Sequence, residues 1–303
     1  MVSAAVRFRR TSSRRSASAG NGLRLLALGA ALVASFTGAL ARAEPAGTRT
    51  TVSADAFARA APDGAMLVTG VLRRRGVEDG DSALLRGRYL EFGASVGVNP
   101  AYSQAAARVE WVPLAPLQLR VQYDLYGFFG ANGALLRFPS ASSRFGAPEI
   151  DAAGGSEESG LGHRLLLSPV LRARVGPIVM RSQTDLAWFA LSSSAGWFYE
   201  WEYDTLVARR DLVVSNRSTL LFEIWRGTGE ATLLAGPGYE VTHATRANIT
   251  RQRAEGVLFW SPTDELGFLA RPRLFAMAGV NVVDRNRRGD PFAVVGLGAD
   301  LDL

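Results

Sequence analysis

His163 and His243 are the only imidazoles in a 303-residue chain that contains no cysteine. Without a thiol there is no disulfide, no thiolate nucleophile, no thiolate metal site and no lipid-bearing cysteine. Hydrolysis by a His–Ser pair needs both side chains on one face. Ser168 follows His163 by an odd number of residues, so an extended chain sends the two to opposite faces, and the position two after His163 is Leu165. Each histidine also falls among the apolar residues near one end of its segment, which reads as a lone interfacial side chain outside any catalytic constellation. The acidic turn Val77-Glu78-Asp79-Gly80-Asp81 offers oxygens to a cation but lacks the ligand spacing of a calcium loop, and reads as solvated. No phosphate-cradling loop, dinucleotide-binding glycine pattern or zinc pair is present. The expectation is a protein that is not an enzyme, with no catalytic residue, no metal and no cofactor.

The residues with most chemical content are ionisable groups that recur at every second position. They include Arg120, Asp124, Arg181, Asp185, Glu200, Glu202, Asp204, Arg217, Glu223, Arg251, Arg253, Glu255, Arg271 and Arg273, with Arg108, Glu110 and Glu240 in the same parity. Gathered on one enclosed face, these mixed charges would either pair into an ion-bonded plug or line a narrow polar path. In the path, Arg251, Arg253, Arg271 and Arg273 would attract anions, and Glu200, Glu202 and Asp204 cations.

Such a parity needs strands to display it. Over 116–129, Leu117, Leu119, Val121, Tyr123 and Leu125 alternate with Gln118, Arg120, Gln122, Asp124 and Tyr126, the period of a half-buried strand. Twelve segments share the pattern: about 65–75, 84–98, 101–112, 116–129, 161–175, 177–190, 197–208, 212–226, 231–244, 250–261, 269–282 and 291–303. Most exceed the five or six residues usual in soluble sheets and match the roughly 9–11 that a tilted strand needs to cross a bilayer. Turn chemistry at Asn99-Pro100, 113–116, Gly176-Pro177, Arg210-Asp211, 227–230 and 285–290 separates them. The fold class is therefore all-β, a closed antiparallel up-and-down transmembrane barrel of about twelve strands, with ten to fourteen compatible with the pattern. The long interruption at 130–160 conflicts with this count, because twelve strands starting at 65 put it on the side of the short turns. Extra strands near 48–58 and 133–139 would restore the outward placement of long loops.

Ahead of the strands, the amino end carries Arg7, Arg9, Arg10, Arg14 and Arg15, an apolar run from Leu25 to Leu40, and Ala41-Arg42-Ala43. That order is a secretory signal cleaved after Ala43. Three segments follow: a signal peptide at 1–43, a periplasmic lead at 44–64 and a barrel at 65–303. Residues 1–43 hold seven arginines and no acid, so the formal charge of +6 becomes −1 on cleavage and implies no nucleic-acid partner.

Amphipathic rings favour the headgroup level of a bilayer. Trp111, Trp188, Trp197, Tyr199, Trp201, Tyr203 and Trp260 lie near strand ends and are expected to form interface belts. With the alternating strands, these features over residues 65–303 resemble the outer-membrane β-barrel proteins of Gram-negative bacteria as a class. The resemblance implies a location in the cell outer membrane, contact with its lipid, and insertion by the barrel-assembly machinery. Members commonly end in a terminal aromatic that this machinery reads, whereas this chain ends in Leu303. The solute, if any, is not indicated.

Overall fold

The computed structural model describes residues 47–302 except 61–63, 78–81, 193–195, 230 and 267–268. The expected signal peptide and its cleavage point, residues 78–81 of the acidic turn and the terminal Leu303 lie outside the described residues.

Twelve strands form the wall: β1 (Thr48–Ala60), β2 (Gly64–Gly76), β3 (Tyr89–Val98), β4 (Tyr102–Leu114), β5 (Leu117–Phe129), β6 (Ser159–Val175), β7 (Ile178–Leu191), β8 (Arg210–Arg226), β9 (Thr232–Ala244), β10 (Ile249–Ser261), β11 (Leu269–Val283) and β12 (Pro291–Asp302). Each pairs antiparallel with its neighbours in chain order. β1 then closes on β12 in a continuous register from Thr51–Asp302 to Ala60–Ala293. Closure leaves no sheet edge, the condition for backbone amides to exist inside hydrocarbon. The connections at the end where Thr48 and Asp302 lie, the termini end of the wall, are mostly tight. Between β6 and β7 only Gly176-Pro177 intervenes, with Gly176 at φ 57°, a left-handed conformation that a side chain would oppose.

The expected number of strands is observed, but not from all the expected segments. Residues 44–64 are not only a lead: they contain β1. Its outward side chains are Val52, Ala54, Ala56, Ala58 and Ala60, too small to stand out as an oily stripe. Residues 197–208 are not a wall strand. They fold as a hairpin of two short strands, Trp197–Glu200 and Thr205–Ala208, which joins Arg137–Phe138 in a small sheet separate from the wall. The region near 133–139 contributes only that short strand. Because β1 precedes the strands read from sequence, the long connections 130–158 and 192–209 fall at the end opposite the termini. This removes the conflict in sidedness, and long loops of such barrels face the cell exterior.

Sorting of side chains follows the strand period. Leu165, Trp111, Val121 and Leu297 are 46%, 49%, 47% and 58% exposed on the outside, while Asp124 and Arg253 are 0% and 3% exposed within. In water this wall would be a very large apolar surface. Against acyl chains it is the stable arrangement, with charges inside and oily residues outside.

Candidate functional site

The lumen is the site, and the hairpin 197–208 occupies it. Both faces of the hairpin are covered: Phe198 and Leu206 are fully buried, and Thr205 and Val207 nearly so. On one side it packs with Leu135, Leu136 and Phe145 of the 130–158 connection and with the inward residues Leu166, Phe189, Val213 and Ile249 of the wall. A second cluster, Met66, Tyr102, Tyr126 and Ala134, fills the facing side under β2, β4 and β5. Trp201 stacks against Phe57 of β1, with ring centroids 6.4 Å apart and planes at 16°. Above the hairpin, at the loop end, a cavity of about 840 Å³ opens between the β3–β4 turn, the 130–158 connection and the β11–β12 loop.

At the hairpin turn, Asp204 adopts φ 50°. Asn and Asp tolerate this left-handed conformation better than most residues. Its carboxylate receives four arginines: Arg253 at 2.7 Å and Arg251 at 3.3 Å from β10, Arg59 at 3.5 Å from β1, and Arg287 at 3.4 Å from the β11–β12 loop. The Tyr199 hydroxyl donates to it at 2.7 Å. Burial alone would raise the Asp204 carboxyl, but Arg59, Arg251, Arg287 and Arg253 outweigh it and hold the group below the ordinary carboxylate range. Arg59 also donates to the backbone oxygens of Trp201 at 3.0 Å and Glu202 at 3.3 Å, tying the first wall strand to the turn. Glu202 reaches Arg164 of β6, which donates to Asp124 of β5 at 2.7 Å. Glu200 accepts from the Tyr203 amide at 2.6 Å. Burial, and then the neighbouring Glu202 charge, push the Glu200 carboxyl up to about 7.

The remaining charges pair along the wall. Glu240 holds Arg251 and Arg217, and Arg217 also reaches Glu255 at 3.1 Å. Glu110 binds Arg120 at 2.7 Å, and Glu91 binds Arg108 and Arg74 at 2.9 Å each. Asp300 holds Arg271 and Arg273, the latter also meeting Asp55 at 2.7 Å. Glu223 pairs with Arg174 and Arg226. Asp185 accepts from Ser168 at 2.6 Å and from Gln183 at 2.8 Å. The expected anion-attracting group Arg251, Arg253, Arg271 and Arg273 is thus neutralised in this state. Arg181 has no carboxylate partner among the described residues, and β-sheet register sets it directly opposite Arg172.

The structure therefore brings the expected lumen residues inside. Its correction is that Glu200, Glu202 and Asp204 come from the plug and not from the wall. The aromatics divide for the same reason. Trp111 and Trp260 lie outside near the termini end, joined by Trp225, and Trp188 lies outside near the loop end, as belts require. Tyr199 and Tyr203 are buried in the lumen and Trp197 and Trp201 are half-buried against the plug, so none of the four is a belt residue. His163 and His243 lie on the lipid side, His163 bonding Tyr123 at 2.6 Å and His243 bonding Thr250 at 2.9 Å. Ser168 points into the lumen, so it does not meet His163. Sequence reading passed over Arg59, Arg164 and Arg287. Strand parity alone would have found Arg164, which lies between the outward His163 and Leu165.

A closed antiparallel barrel with an oily exterior and an ionic interior defines an integral outer-membrane β-barrel protein. No protein-family model matches the chain, and no curated protein matches it. Solved structures similar to it include an outer-membrane channel from Pseudomonas putida F1, at 11% identity over 86% of this chain and 97% of that one, TM-score 0.43. The beta domain of the Bordetella autotransporter BrkA aligns at 12% identity over 84% and 99%, TM-score 0.41. LpxR from Salmonella typhimurium aligns at 8% identity over 83% and 99%, TM-score 0.35.

Proposed function

We propose that the protein is a non-enzymatic outer-membrane barrel that is closed at rest and becomes a narrow solute pathway when the 197–208 hairpin leaves the lumen. One observation carries this reading: Asp204, on a segment that is not part of the wall, is the shared counter-ion of Arg59, Arg251, Arg253 and Arg287. A plug held by charge at its tip can be released without unfolding the sheet. Release would also change what the lumen prefers. Withdrawing Glu200, Glu202 and Asp204 strips carboxylates from Arg59, Arg164, Arg251 and Arg253 near the loop end of the lumen, while Arg172 and Arg181, which have no carboxylate partner among the described residues, lie toward its other end. The open path would then favour anions.

The test is conductance in a planar bilayer. Wild-type protein should be mostly silent, and a chain lacking 197–208 should give discrete steps with anion preference. A correctly folded deletion variant that remains silent, or prefers cations, would overturn the proposal. Outer-membrane lipid and the barrel-assembly machinery are the partners this reading entails.

A further inference from the structure

Most arginines of the lumen are paired with carboxylates, and one sector of the wall departs from this. Arg172 of β6 and Arg181 of β7 occupy directly paired register positions a short way in from the tight turn Gly176-Pro177, at the termini end. Both share the inward parity of Ser168 and Gln183, and both are exposed. Neither has a carboxylate partner among the described residues. The acids of the neighbouring strands are taken by other arginines: Glu110 of β4 by Arg120, and Glu240 of β9 and Glu255 of β10 by Arg217. On β7 the nearest acid is Asp185, deeper in the lumen, where it accepts from Ser168 at 2.6 Å and Gln183 at 2.8 Å. On β8 it is Glu223, at the rim with Arg174 and Arg226.

Side chains at directly paired positions have Cβ atoms about 5 Å apart, and like charges there repel. An enclosed lumen with low-dielectric walls screens that repulsion less than open water does and focuses the field of the two cations. Neutral acceptors hold both groups in place. Arg172 donates from Nε to the Ala115 backbone oxygen at 3.1 Å, and Arg181 donates to Gln183 Oε1, whose amide nitrogen is in turn fixed on Asp185. Each of these contacts occupies one of the five donors of a guanidinium group. On the other flank, register sets Thr219 of β8 opposite Arg181 and adds a hydroxyl. The arrangement is the converse of the hairpin tip, where four arginines share one buried carboxylate: here two positioned cations have none.

We propose that Arg172 and Arg181 form a binding site for a compact dianion, phosphate or a short dicarboxylate, at the termini-end mouth of the lumen. Guanidinium groups grip carboxylate and phosphate oxygens through parallel N–H donors. A doubly charged ligand matches two cations, where a chloride ion matches one. The site lies apart from the hairpin, whose Asp204 is held in the loop half of the lumen by Arg59, Arg251, Arg253 and Arg287. It is therefore complete while the plug is seated, and it takes its ligand from the periplasmic side. A barrel that never opened would still bind, so this site stands or falls separately from the pathway proposed above.

Titration calorimetry of the folded barrel in detergent at constant ionic strength tests the site, with inorganic phosphate and succinate as probes and chloride as the reference. One saturable site is expected for at least one of the two dianions and none for chloride, and the stronger probe tells phosphate from dicarboxylate chemistry. Arg172→Gln and Arg181→Gln should each weaken binding about tenfold, the loss of a hydrogen-bonded charge, with the heat-dependent gel shift of a folded barrel retained. Arg74→Gln removes the same charge at the same end from a pair with Glu91 and should leave affinity unchanged. The chain lacking 197–208 should bind as the wild type does. The bound probe should raise the urea midpoint of the wild type and not that of Arg181→Gln. No saturable binding of either dianion, loss of binding with the hairpin, or equal weakening by Arg74→Gln would overturn the proposal. The last is the result expected if only the general field of the lumen attracts anions.

Discussion

Replacing Asp204 by Asn keeps the shape of the hairpin tip and the acceptor for the Tyr199 hydroxyl while removing the charge that four guanidinium groups share. Breaking a buried ion pair from one side costs about 3–5 kcal/mol, because the partner charge stays behind unpaired. Arg251 and Arg253 retain Glu240, the latter at 4.0 Å, so their loss is partial. Arg59 and Arg287 have no other carboxylate among the described residues and fall back on backbone oxygens of Trp201, Glu202 and Phe145. The lower end of the range, about 3 kcal/mol, therefore applies, and it raises the ratio of undocked to docked hairpin about a hundredfold. The wall is untouched, so the folded barrel and its heat-dependent gel mobility should persist. In planar bilayers the variant should show frequent openings with anion preference, and protease should cut 197–208 in intact vesicles faster than in wild type. A variant as silent and as protected as the wild type would refute the idea that charge at the tip holds the plug.

Further outcomes follow from the same geometry. Folding raises the Glu200 carboxyl from about 4.5 to about 7, so the protonated form favours the seated hairpin. Its stabilising contribution is complete below about pH 4.5 and is lost as pH rises through about 7, so openings should become more frequent over that window, and Glu200→Gln should flatten the dependence. Arg164→Leu removes the counter-ion of Asp124, which keeps the Gln104 and Gln122 amides at 2.6 and 2.7 Å, and should lower the urea midpoint of unfolding by the equivalent of about 3 kcal/mol, the low end of the range for a broken buried pair. Leu165→Arg, on the outer wall, should destabilise the inserted barrel by about 2–4 kcal/mol in vesicle unfolding; a neutral effect would contradict a lipid-facing position there.

How much of this was legible in the sequence depended on which surface each strand met. The walls around Leu117–Tyr126 and Ile178–Trp188 present large oily residues to lipid, so period-two reading found them and oriented them correctly. β1 escaped because alanine supplies its lipid face, a weak signal, although Ser53, Asp55, Phe57 and Arg59 alternate with those alanines throughout. The hairpin misled for the opposite reason. Alternation of Trp197, Tyr199, Trp201 and Tyr203 with acidic residues is genuine strand chemistry, but periodicity reports that a strand has two faces and not what covers them. Here both are covered by protein, and a tight turn at 201–204 divides a run long enough to span. The polar parity was readable one residue at a time, but the convergence on Asp204 was not: Arg59 and Arg253 are brought together only when β1 closes on β12.

That closure has a consequence for assembly. The arginines that seat the hairpin come from the first wall strand and from strands made near the end of synthesis, so the charge cluster is an interaction of high sequence separation and forms late. Until the ring is complete, Asp204 has only part of its counter-charge and the interior stays hydrated. The plug thus senses a finished cylinder: an incompletely zipped sheet keeps a wet, loosely filled centre, and only the sealed one dries and locks.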